Sequence, residues 1–141
     1  MKRLFAGLAV VLSVAPTACG GGSSPTQPTV EDGCRIVGAD PVSGSVLKAG
    51  VPVNITLTGR CTLNAAASAT VVAGGIMLPS SSSTPTATRA ISKGTTTVSI
   101  TILFTPPASE TSVGFLMGIV YDAGVGLPPT GLLDSVDYKI G

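Results

Sequence analysis

The chain has 141 residues, with 11% charged, 4% aromatic, a formal net charge of +1, no histidine and no tryptophan. Without histidine, no Ser–His or Cys–His nucleophile pair and no imidazole-based metal site can be built. The charges are few and scattered, so there is no basic patch and nucleic acid is excluded as an expected partner.

The first residues read as a targeting signal. Lys2 and Arg3 precede the apolar run Leu4 to Val14, LFAGLAVVLSV. A membrane-spanning helix needs ~20 apolar residues. This run is shorter and meets Pro16-Thr17, which predicts a cleaved signal peptide over residues 1–18, with a retained anchor helix as the alternative. Ala15-Pro16-Thr17-Ala18-Cys19 resembles the lipobox of bacterial lipoproteins, with Ala18 as the small residue before the cysteine and Pro16 where that motif usually has Leu. The resemblance implies a cut before Cys19 and two or three acyl chains on it. One chain binds a membrane only marginally, and a second makes the anchor stable. Gly20 after the cysteine implies, by analogy with envelope sorting, an exported protein anchored at the outer membrane.

Residues 19–33 then form a tether, opening GGGSSPTQPT behind the cysteine. Such a coil averages roughly 20 Å end to end and reaches at most ~50 Å. From Cys19 onward, six basic residues stand against seven acidic ones, a net charge of −1.

Residues 34–141 are one domain in size and read as strands. Arg35–Gly38 and Ser45–Leu47 are short candidates. Val51 to Thr58 alternates, with Val51, Val53, Ile55 and Leu57 on one face. Leu63 to Ala69 (LNAAASA) has room for a helical turn or two and lacks an apolar stripe. Ala69 to Leu78 is a weaker strand in which Gly74-Gly75 suggests a bulge or break. Pro79 to Gly94 (PSSSSTPTATRAISKG) is polar, of low complexity, and read as a long mobile loop. Thr97 to Phe104 puts Val98, Ile100, Ile102 and Phe104 inward. Val113 to Tyr121 is apolar on both faces, Leu116 and Val120 lying on the second, and is therefore central. Ser135 to Ile140 alternates to the end of the sequence. About seven strands with turns at Asp40-Pro41, Ser43-Gly44, Ala49-Gly50 and Pro106-Pro107 predict an all-β, antiparallel sandwich.

There are three cysteines. With Cys19 lipidated, Cys34 and Cys61 are free to pair in an oxidising compartment. In a hairpin turning at Lys48-Ala49, Cys34 and Cys61 miss direct pairing by two positions, a slip that the break at residues 40–44 absorbs. Directly paired antiparallel residues satisfy the ~7 Å limit for a disulfide. The segment from Cys34 to Cys61, CRIVGADPVSGSVLKAGVPVNITLTGRC, is similar to the opening of immunoglobulin-like domains in bacterial envelope proteins: a broken first strand, then Ala49-Gly50, then an alternating second strand. The resemblance implies that architecture, without the core tryptophan of antibody-type domains.

Little chemistry is visible. No serine lies in a Gly-x-Ser-x-Gly elbow, and no cofactor motif is present. Asp122 and Asp134 flank the loop AGVGLPPTGLL and are weak Ca²⁺ candidates beside the simpler reading of solvated turn residues. Of the few aromatics, Phe104, Phe115 and Tyr121 fall on apolar faces, leaving Tyr138 as a sugar-platform candidate. The expected role is a non-catalytic structural or protein-interaction module tethered to the membrane through Cys19, with envelope proteins or glycans as partners. A ligand-binding lipoprotein for a glycan or small molecule is the alternative.

Overall fold

The structure is a computed structural model of the 141-residue chain, and it describes residues 31–122 and 133–141. Those residues form six strands: β1 (Gly33–Asp40), β2 (Val46–Leu47), β3 (Val53–Leu78), β4 (Ala87–Phe104), β5 (Ser112–Val120) and β6 (Asp134–Ile140). Strands pair in the order β1-β3-β5-β6-β2, and β4 pairs with β3. The class is all-β, with one parallel pair, β2 with β6, among antiparallel ones.

The 26-residue β3 organises the domain. It alternates on either side of residues 64–68, burying Ile55, Leu57, Cys61 and Leu63 before them and Ala69, Val71, Ala73 and Met77 after. Its first half pairs with β1 on one side and with the end of β4 on the other. Its second half pairs with the start of β4 and with β5. The halves are separated by a register shift: Leu63 pairs with Gly94, but Ser68 pairs with Ser92. The surplus residues 64–67 bulge and turn the strand. Gly94 takes φ +117° at this corner, a backbone conformation that a side chain disfavours.

Inward side chains of the two halves meet across this corner. Phe104, paired with Val53, stacks edge-on with Phe115, paired with Gly75, at a centroid distance of 5.5 Å. The Met117 sulfur of β5 lies where a side chain at Gly59 would begin. One apolar cluster fills the space between the halves.

Several expectations need correction. The first two strands are not joined by a tight hairpin. After Asp40 the chain crosses to the far edge, where Val46 and Leu47 run parallel to Lys139 and Ile140. Gly44 N donates to Asp137 O at 2.7 Å, and Tyr138 Oη donates to Pro41 O at 2.7 Å. Val51 lies outside β3 and is exposed. Residues 63–69 are strand and bulge, not helix. Only the first part of the 79–94 stretch is a connection, because residues 87–94 belong to β4. The Gly74-Gly75 pair makes no break, since β3 and β5 hold one register from Thr70 to Leu78. A side chain at Gly75 would start 2.7 Å from the Gly114 carbonyl oxygen, so glycine there permits close approach of β5. The described residues hold six strands where about seven were expected.

Candidate interaction surfaces

Cys34 and Cys61 pair directly, as β1 and β3 register requires, and are joined by a disulfide with a Cα–Cα distance of 4.0 Å. β1 and β3 are not the arms of a hairpin, so no slip at residues 40–44 is involved, and the irregularity of their ladder lies between Ile36 and Gly38. Both cysteines are buried. Cys19 lies outside the described residues.

Beside the disulfide, Asp32 clamps the root of the domain. Its carboxylate accepts from Asn64 N at 2.6 Å, Ala65 N at 3.0 Å and Tyr121 Oη at 2.9 Å. The amides belong to the bulge of β3, so Asp32 ties the start of the domain to its corner. Burial works to raise the Asp32 pKa, but the two amides, the Tyr121 hydroxyl and the Lys93 charge outweigh it and hold the carboxyl below the usual range. The Tyr121 phenol is pushed up by burial, then by its hydrogen bond to Asp32 and the charge of that carboxylate. Because the folded pKa of Asp32 lies below its unfolded value, its contribution to stability is present above the ordinary carboxylate range. It is lost as pH falls through the folded pKa. Asp32→Asn is expected to bring the Tyr121 titration down, read as phenolate absorbance. Tyr138, raised by burial and by Asp40, should keep its position. Two unchanged tyrosine titrations would show that Asp32 does not act on Tyr121. Sequence reasoning missed this clamp because Asp32 reads as one more scattered acid at the end of a tether.

The outer face of the first half carries paired hydroxyls. Thr56 and Thr101 are 2.9 Å apart, Thr58 and Ser99 3.0 Å, and Thr62 and Thr95 3.0 Å, each pair bridging β3 and β4. The alternating Thr and Ser positions were legible, but only the register shows that they meet.

The outer face of the second half is apolar. Ile76 and Leu78 are about half exposed, and Leu116 and Val120 of β5 lie on the same face. A shallow recess of about 290 Å³ opens there, lined by Val72, Gly74, Thr86, Leu116 and Gly118, with no charged side chain. The expectation that the second face of β5 is apolar because the strand is central holds in part. The strand is central in its sheet, but this face is uncovered among the described residues.

Asp122 and Asp134 have separate partners. Asp134 accepts from Ile36 N at 2.8 Å and from Ser135 N at 2.9 Å, so it ties β6 to β1. Asp122 accepts from Ser68 Oγ at 3.4 Å. Asp134 pairs opposite Met117, five positions before Asp122. The loop between them, residues 123–132, lies outside the described residues. Among the described residues no group of three acidic or thiol side chains is placed to hold a metal ion. Phe104, Phe115 and Tyr138 are core residues, and Tyr121 is partly buried against the core. Tyr138 is thereby removed as a sugar platform.

No protein-family model matches this chain, and no curated protein matches it in sequence.

Proposed function

We propose that the chain is an exported lipoprotein, anchored to the cell envelope through lipid on Cys19. In this reading its domain is an immunoglobulin-like β-sandwich acting as a structural or interaction module without catalysis. The observation that carries the interaction role is the uncharged outer face of β5 and of the second half of β3. Large exposed apolar patches on a stable domain mark contact surfaces. The sandwich reading is supported by the inward side chains that meet between the two halves of the sheet and by an opening segment split between β3 on one edge and β6 on the other. The anchor reading rests on residues 15–19 and on the tether, which joins the domain beside the Asp32 clamp. The alternative, glycan binding, asked for exposed aromatic rings, and the rings of Phe104, Phe115 and Tyr138 are buried.

The test is the mass and membrane partition of the protein expressed from its own signal, beside Cys19→Ser. Wild type should gain acyl mass and fractionate with membrane, and the variant should lose both. A soluble, unacylated wild type would remove the anchor and leave Cys19 as a thiol free to make an intermolecular disulfide.

A further inference from the structure

We infer that the outer edge of β4 pairs with the same edge of a second copy of this chain, antiparallel about a twofold axis at Ser99. The inference deepens the interaction-module reading and rests on it. A bare strand edge presents unpaired amides and carbonyls and is a template for another strand. The other edges are guarded. β1 carries Arg35, ends at Asp40, is irregular at Ile36–Gly38, and has its Ile36 amide bound by Asp134. β2 is two residues long. The 18-residue β4 has β3 as its one strand partner among the described residues.

From Gly94 to Phe104 that edge strand, GTTTVSITILF, carries no charge. Most of its residues are β-branched, which suits a pleated neighbour. Val98, Ile100, Ile102 and Phe104 are buried, and Thr95, Thr97, Ser99, Thr101 and Leu103 point outward.

The row is complementary to itself. About Ser99, Thr97 faces Thr101 of the second copy, Val98 faces its Ile100, and Thr95 faces its Leu103. Lys93 falls opposite Thr105, so no like charges meet. Hydroxyl pairing of this kind is already made across β3 and β4 by Thr101, Ser99 and Thr95. A twofold joint uses both edges and closes at two copies instead of propagating as a fibre.

The experiment is sedimentation of the full chain, expressed from its own signal and held in detergent, for wild type, Ser99→Lys, Ser99→Glu and Ile76→Lys. Wild type and Ile76→Lys should be dimers. Ser99→Lys and Ser99→Glu should each lose the dimer, because like charges would meet at the axis. An equimolar mixture of the two should restore it. A monomeric wild type overturns the inference. A dimer lost in Ile76→Lys and kept in Ser99→Lys also overturns it, while preserving the interaction-module reading on the apolar face. Should either Ser99 variant fail to fold, Ser99→Cys decides. Oxidation should cross-link it to itself, whereas Thr95→Cys should stay uncross-linked, and the absence of a Ser99→Cys cross-link would refute the axis.

Discussion

Replacing both Cys34 and Cys61 by alanine is expected to lower the stability of the domain by roughly 3–4 kcal/mol on the chain-entropy account of disulfides. The bond spans 27 positions, so it removes a substantial loop-closure freedom from the unfolded chain. Two buried alanines in its place also lose the packing that the paired sulfurs provide at the edge of the core. Small domains hold only about 5–15 kcal/mol in all. The loss should therefore appear as a large drop in the urea midpoint, with a somewhat steeper slope because the uncross-linked chain unfolds to a more expanded state. A midpoint within experimental scatter of the wild type would mean that the β1–β3 ladder and the Asp32 clamp hold the root without help.

Phe115→Ala is expected to cost about 3–5 kcal/mol, the usual range for removing a buried phenylalanine. Phe115 is fully buried at the junction of three strands. Its ring lies edge-on to Phe104 of β4 at 5.5 Å and to Tyr138 of β6 at 6.0 Å. Alanine would leave a cavity between the two halves of the sheet, where the other rings cannot both move to fill it. Phe115→Leu, which keeps most of the volume, should lose far less. Equal losses for the two substitutions would show that ring geometry, and not volume, is what this centre requires.

The alternating segments were the legible part of the fold. Of Val51–Thr58, Thr97–Phe104, Val113–Tyr121 and Ser135–Ile140, all but Val51, Pro52 and Tyr121 lie in observed strands, and most of their inward residues form the core or pack against it. Period-two patterning is local, and one buried face enforces it. The illegible part has two physical causes. Residues 64–67 are small or polar on both faces, and residues 87–94 bury only Ile91, because a bulge and an edge strand bury little, so no alternation marks them as strand. Pairing between distant segments also leaves no local trace. The parallel contact of Val46–Leu47 with Lys139–Ile140 joins parts of the chain that share no pattern. Cys34 and Cys61 were the exception, since thiol chemistry gives a distant contact a visible signature. Of the candidate surfaces, the apolar character of Leu116 and Val120 was plain, but whether that face was covered depended on the sheet order. The paired hydroxyls were plain as residues and invisible as pairs.

The position of the disulfide has a mechanical consequence. A pull transmitted through residues 19–32 would load the domain at the start of β1. There it would peel β1 from β3 one hydrogen bond after another, the weak way to open a ladder. The covalent link at Cys34, the second residue of β1, stops that unzipping almost at its origin and passes the load to Cys61 in the first half of β3. From there the force spreads along a strand bonded to β1, β4 and β5 at once. A load entering from the N-terminal side would thus reach the longest strand of the domain, and a single-molecule pull from that side should meet a stiff, late-yielding body until reductant cuts the link.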